Sequence, residues 1–242
     1  MAKPIKILAS GYPGSGKSYL GLSFPKIAWI ITEYGTDVLL DTHPNLAKNV
    51  VWHENRLYDP QEDPREVIKA IDGDIAKAKV DYKAGLIETL AFDNFTFYAN
   101  LEWERINRYE MLRATNGAVD TRGMYGILRR YLYNRLCTIL AFPGNVYLTC
   151  HEQMEGEEAM AGKTDKSTPV VPNVLGSVRE VIGGMFGASL FLVKKRVGDN
   201  KYIYSARCQK GNLREAKNRM NLPEVVENVT YSKIIESIGK GV

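Results

Sequence analysis

Eight residues near the start of the chain, Gly11-Tyr12-Pro13-Gly14-Ser15-Gly16-Lys17-Ser18, constrain its fold more than any other stretch. They satisfy the spacing G-x-x-x-x-G-K-[ST]. Its glycines let the backbone curl so that successive N–H groups face inward around an anion. A short apolar run, Ile5 to Ala9, precedes the loop and reads as a buried parallel strand. A helix opening near Lys17 would add its positive end. The expected ligand is a polyphosphate, ATP or a close relative, with Mg2+. Gly11, Pro13, Gly14, Ser15, Gly16, Lys17, Ser18 and Tyr19 would line the cradle. Lys17 would reach the β- and γ-phosphates, and the Ser18 hydroxyl would face Mg2+. The four fixed positions coincide by accident in about one chain in a hundred of this length.

The remaining pattern is strand alternating with helix. Ile27 to Ile31 is a second buried strand ending at Thr32-Glu33, and Val50 to Trp52 is a short third. Leu86 to Phe92 ends at Asp93-Asn94, and Val146 to Cys150 ends at His151. Pro64 opens a helix in which Val67, Ile68, Ile71 and Ile75 recur at helical spacing. Further helices are expected over Phe95 to Leu112 and Met124 to Leu140, with a polar loop between them. Phe186 to Val193 and Tyr202 to Cys208 read as a hairpin around Gly198-Asp199-Asn200. Glu152 to Pro172 reads as a long irregular loop. The whole, residues 1–242, is expected to be one α/β domain: a mostly parallel central sheet flanked by helices, with a C-terminal β-hairpin. Ligands in such sheets bind beyond the carboxyl ends of the strands. The loop at Gly11 and the strand-end residues Glu33, Asp93 and His151 should therefore share one rim.

Each of those residues has a chemical reading beside a bland one. Asp93 could hold magnesium through a water, or cap the following helix. Glu33 could orient and deprotonate a water as a catalytic base, or stand in a surface turn. His151 could sense the γ-phosphate, or be a structural histidine. It does not open a zinc-hydrolase pattern, because Glu155 occupies the place of the second histidine. Lys210 and Arg214 could reach a neighbour's γ-phosphate as a catalytic finger, or form a solvated basic turn. Tyr98, Trp103, Tyr109, Tyr125, Tyr131 and Tyr133 could stack on bases, but their helical spacing favours packing.

Composition narrows the class. Apolar residues are 45% and charged residues 25%, which suits a globular protein. No apolar run reaches the roughly 18 residues of a membrane span, and the first residues lack the apolar core of a secretory signal. Three scattered cysteines, Cys137, Cys150 and Cys208, form neither a disulfide framework nor a zinc pattern. A reducing, cytoplasmic setting is the expectation. The net charge of +4 permits nucleic acid as a partner without demanding it. Much of the positive charge lies late, from Lys194, Lys195 and Arg196 to Arg219.

Several segments together resemble phage-encoded P-loop ATPases with a RecA-like core, and among them the RecA-core single-strand annealing proteins. They are Ile7 to Ser18, Ser23-Phe24-Pro25-Lys26, Ile30 to Gly35, Ala91 to Asn94, Arg122 to Gly126, Asn145 to His151, Lys210-Gly211 and Ala216 to Arg219. The resemblance covers most of the chain and implies a RecA-like P-loop NTPase core. It implies Glu33 in the place of the catalytic glutamate and Asp93 in the Walker B place. His151 differs from the glutamine-type residue commonly found at that strand end. Arg113 to Gly123 and Glu152 to Pro172 fall where RecA-like recombinases place two DNA-binding loops; the second also carries an acidic cluster. The implied partners are single-stranded DNA, other copies of the chain in a ring or filament, and a phage single-strand-binding protein. The implied setting is the host cytoplasm, with no membrane. A motor or helicase-loader type of ATPase in replication or packaging, and a nucleotide-gated binding module, remain open. A small-molecule kinase is disfavoured by the lack of a clear arginine-bearing lid.

Overall fold

Apolar strands whose alternate residues enter two different cores set the architecture. In the computed structural model, which describes residues 3–154, 170–175, 177–198, 201–209 and 216–239, five strands form the parallel centre. They are β1 (Lys6–Ser10), β2 (Ile27–Ile31), β3 (Val50–Asn55), β4 (Thr89–Asp93) and β5 (Asn145–Cys150). Leu8, Ile30, Phe92 and Leu148 point into one core; Ile7, Trp29, Ala91 and Tyr147 point into the other. β1, β2, β4 and β5 are buried on both faces and are therefore apolar along most of their length; the edge strand β3 alternates.

The first core is roofed by α4 (Pro64–Lys83), α5 (Phe95–Tyr109) and α6 (Thr121–Leu140), which supply Ile71, Tyr98 and Leu132 among others. Asp63, Asn94 and Asp120 cap these helices, each side chain accepting from a first-turn N–H. The second core is covered by α1 (Lys17–Leu22), with α2 (Thr36–Thr42) and α3 (Pro44–Ala47) beside it. Beyond β1 the sheet turns antiparallel. β8 (Ala188–Gly198) runs parallel to β1, then pairs antiparallel with β9 (Lys201–Arg207). Two short strands, β10 (Lys217–Asn218) and β11 (Val225–Glu227), complete a nine-stranded sheet of order β11-β9-β8-β1-β5-β4-β2-β3, with β10 on β8. Helix α7 (Val178–Met185) precedes β8, and α8 (Tyr231–Gly239) ends the described chain.

The expected α/β class holds: a mostly parallel sheet flanked by helices, with a hairpin late in the chain. Three local expectations need correction. The third strand extends to Asn55, because as the edge strand it is buried on one face only: Val51, His53 and Asn55 face water, and Val50, Trp52 and Glu54 are half-buried. Helix α5 stops at Tyr109 rather than Leu112, since Leu112 instead accepts from Asp120 in the turn that leads into α6. The segment from Glu152 to Pro172 is not irregular at its ends: β6 (Glu152–Met154) and β7 (Val170–Pro172) pair antiparallel. Residues 155–169 lie outside the described residues.

Candidate nucleotide site

The parallel strands deliver their last residues to one edge, and the loop after β1 curls there. Gly14 and Gly16 hold φ of 74° and 95°, a left-handed backbone that favours glycine. A Cβ on Gly16 would lie 2.5 Å from a ring carbon of Tyr204, and one on Gly11 would lie 2.4 Å from Ser15 Oγ. The loop therefore has no room for side chains at either place. Lys17, only 5% exposed, folds back and donates to the carbonyls of Gly11 (2.8 Å) and Tyr12 (3.0 Å). Tyr147 in β5 donates to the Lys17 carbonyl at 2.6 Å, tying α1 to the sheet.

Asp93 ends β4 fully buried. Its Oδ2 accepts from Ser18 Oγ at 2.6 Å and Thr36 Oγ1 at 3.2 Å, and its Oδ1 accepts from Thr149. Burial pushes its carboxyl above the usual aspartate range, and the Glu33 charge adds to this. The Ser18 and Thr149 hydroxyls pull it back only partly. Asp93 is not the helix cap: Asn94 is, accepting from Phe97 N at 3.2 Å. The Asp93–Asn94 peptide is cis.

Glu33 sits just past β2 and is gripped at both oxygens. Asn94 Nδ2 donates to Oε2 at 2.6 Å, and His151 Nε2 lies 3.0 Å from Oε1. The other ring nitrogen of His151, Nδ1, is 3.5 Å from Lys17 Nζ. Burial alone would raise Glu33, but the His151 contact, Lys17 and Asn94 together hold it below the usual glutamate value. Lys17 is lowered as well, but by burial, against the pull of Asp93 and Glu33. Of the three strand-end residues expected to meet at the loop, Glu33 and His151 thus form a connected set with Lys17, and Asp93 lies beside it, bonded to Ser18.

A cavity of about 230 Å³ opens at Lys17 and Glu33, with His151 and Asp93 behind its lining. Lys17, Ser18, Glu33 and Thr36 form its polar floor, Gly14 and Gly16 its edge, and Tyr19, His43 and Tyr204 its aromatic wall. Tyr19 stacks on Tyr204 with centroids 5.7 Å apart and meets His43 edge-on at 5.5 Å. A larger groove of about 600 Å³, between Ile5, Met220 and Ile238, lies at the opposite end of β1 and carries none of these groups. Size does not mark the site here; the chemistry of the lining does.

The residues fit a nucleotide with Mg2+. The Ser15 hydroxyl is buried without a hydrogen-bond partner, at a cost of about 1–3 kcal/mol unless a ligand supplies one. Lys17 spends its charge on two neutral carbonyls, which a phosphate would outbid. The Ser18 hydroxyl and Asp93 carboxylate are the hard oxygen donors that Mg2+ takes. Of the residues read as lining the cradle, Pro13, Gly14, Gly16, Lys17, Ser18 and Tyr19 lie on the cavity, and Gly11 and Ser15 do not. Lys210 and Arg214 lie outside the described residues. Thr36, Thr149, Asn94, His43 and Tyr204 were not anticipated. Thr149 and Asn94 carried a faint signal, being polar at the end of apolar strands; Tyr204 carried none.

Phosphate loop, buried strand-end aspartate and parallel α/β core together define a P-loop ATPase class. A family profile described as AAA domain matches residues 3–220. The chain belongs to that family. No curated protein matches it. Among solved structures it is similar to a prototypical ATPase from the type III secretion system of pathogenic bacteria, at 15% identity and a TM-score of 0.47. That match covers 78% of this chain and 51% of the other, so the chain spans about half the length of that protein. Among the described residues, no helix is long and apolar enough to cross a membrane.

Proposed function

We propose that the chain is a RecA-like ATPase that hydrolyses ATP, binds single-stranded DNA, and promotes annealing or strand exchange in phage recombination. The observation that carries the hydrolytic half is the contact set joining Lys17 to Glu33 through His151. A base must lie near the γ-phosphate that Lys17 grips, and it must be ionised to act. Glu33 meets both needs, since its neighbours favour the carboxylate. On ATP binding, Lys17 exchanges the Gly11 and Tyr12 carbonyls for phosphate oxygens. His151 then loses one neighbour, and its hold on Glu33 changes with it. Glu33 orients a water and takes its proton as the water attacks phosphorus and the bond to ADP breaks. Ser18 and Asp93 would hold Mg2+, which supplies charge neutralisation at the phosphates. His151 is the sensor in this scheme, because it touches both the phosphate-binding lysine and the base.

The nucleic-acid half rests on the sequence resemblance and on the basic charge late in the chain. Assembly into a ring or filament, with Lys210 or Arg214 acting across a subunit boundary, belongs to the same reading. The test is ATP turnover with and without single-stranded DNA, over a range of salt. Stimulation that fades with ionic strength supports the proposal. Turnover indifferent to DNA favours a nucleotide-gated module, a reading that the double grip on Glu33 also fits.

A further inference from the structure

The hairpin of β8 and β9 projects from the sheet at the same edge as the phosphate loop, and its two faces differ. Register pairs Lys194 with Tyr204 and Arg196 with Tyr202. Directly opposed residues, and residues two apart along a strand, share a face. Lys194, Arg196, Tyr202 and Tyr204 therefore form one strip. Its inner end is the nucleotide pocket, where Tyr204 covers Gly16 and stacks on Tyr19. Its outer end is open: Tyr202 is 46% exposed, and Lys194 and Arg196 are exposed beside it.

We propose that this strip is the seat of a single-stranded nucleic acid, with bases on the tyrosine rings and phosphates on the cations. The proposal rests on the reading above that the chain binds single-stranded DNA, and it names the place. Three observations support it. Neither strand carries an acidic residue, so the exposed outer part of the strip, with Lys194 and Arg196, attracts anions. Lys194 enters no ion pair among the described residues; its ammonium lies 4.0 Å from the Tyr202 centroid and 5.9 Å from that of Tyr204. It is thus held between two rings with its charge uncancelled. Finally, Tyr202 and Tyr204 are two residues apart on one strand, about 7 Å. That spacing is wider than the roughly 3.4 Å between stacked bases of a duplex strand, and it suits an extended single strand. Base stacking on aromatic rings tolerates any sequence, so the strip would bind without sequence preference.

The loop Arg113 to Gly123 is a weaker rival. Arg113 pairs with Val119 in an isolated bridge and donates to Gly117 O at 2.9 Å, so the loop closes on itself. Tyr125, on the adjoining helix, is stacked on Trp103 with centroids 4.6 Å apart.

Anisotropy of a labelled oligo-dT strand against the full chain, with a non-hydrolysable ATP analogue and varied salt, tests the inference. Tyr202→Ala is expected to weaken binding about tenfold or more. Lys194→Ala is expected to lower the slope of log affinity against log salt by about 0.7. Thermal unfolding of each variant should match the parent, because both positions are exposed. If the parent binds the strand and both variants bind it equally well, the inference fails while the broader reading stands. Loss on Tyr125→Ala with the hairpin variants intact would place the DNA elsewhere and overturn it. A parent that turns over ATP yet binds no strand removes the nucleic-acid reading itself. Equal competition by polyglutamate would overturn it in favour of an acidic protein partner.

Discussion

Glu33 shows how far one residue's role depends on its neighbours. Its sequence position, after an apolar strand, is equally that of a surface turn residue. What distinguishes it is the pair of contacts from Asn94 and His151. Replacing Glu33 by Gln keeps the size and removes the base. ATP hydrolysis is expected to fall by about 10²–10⁴-fold while ATP affinity stays within a few-fold. Single-turnover kinetics and equilibrium binding measure the two separately, and unchanged turnover would remove Glu33 from catalysis. The same variant carries a pH signature. The Glu33 pKa is held below its ordinary 4.5 in the folded state, so these contacts stabilise the fold fully above that value. Their contribution is lost as pH falls through the lowered value. The stability gap between parent and Glu33→Gln, from denaturant melts, should therefore be constant near neutrality and close below about pH 4.5. A gap that widens on acidification would contradict the assignment.

At the scale of elements, α1 is the most tightly specified. It is six residues long and so cannot hold itself together; packing does that. Gly21 is its penultimate residue, where alanine would gain at most about 0.5–1 kcal/mol of helix propensity. A Cβ there would stand 2.9 Å from a ring carbon of Tyr147 and 3.1 Å from Trp29. Overpacking costs about 1–3 kcal/mol, so the clash outweighs the propensity. Gly21→Ala should destabilise the protein by roughly 1–2 kcal/mol in chemical denaturation. Nucleotide affinity should weaken too, because Tyr147 anchors the Lys17 carbonyl. Greater stability in that variant would show that the rings yield freely. The long helices, the central strands and the hairpin were legible in the sequence because their apolar periods persist for several turns or pleats. Short pieces were not. Helices α2 and α3 and strands β6, β7, β10 and β11 each span seven residues or fewer, too few for a period to declare itself.

Across the whole molecule, α4, α5 and α6 are tied by a polar network inside the first core. Arg135 donates to Tyr98 OH at 2.8 Å and also reaches Asp72; Tyr98 donates to Glu102, and Arg105 reaches Glu102 and Glu110. Arg135 is buried, so removing it takes a donor from the Tyr98 hydroxyl and the cation from Asp72, while Glu102 keeps Arg105. Arg135→Ala is expected to cost about 1–3 kcal/mol in a denaturant titration, mostly from the buried Tyr98 hydroxyl losing a partner, since Asp72 is half-exposed. A loss under 1 kcal/mol would mean that water replaces the guanidinium. Ligand should stabilise the same global transition: ATP with Mg2+ at a hundred times its Kd adds about 2.7 kcal/mol. Lys17→Ala should abolish that gain, and an equal thermal shift in parent and variant would count against the nucleotide site.

The phosphate loop, the parallel α/β core and the edge on which Glu33, Asp93 and His151 meet could all be read from residue order. These follow from local rules: glycines where the backbone turns left-handed, apolar runs where both faces are covered, and polar residues where strands end. Only the tertiary structure decided which hydroxyls grip Asp93, that Asn94 and His151 share Glu33, and that Tyr204 lies over the loop at Gly16. Those contacts join residues far apart in the chain, and their geometry depends on strand order and hairpin register, which no local pattern encodes.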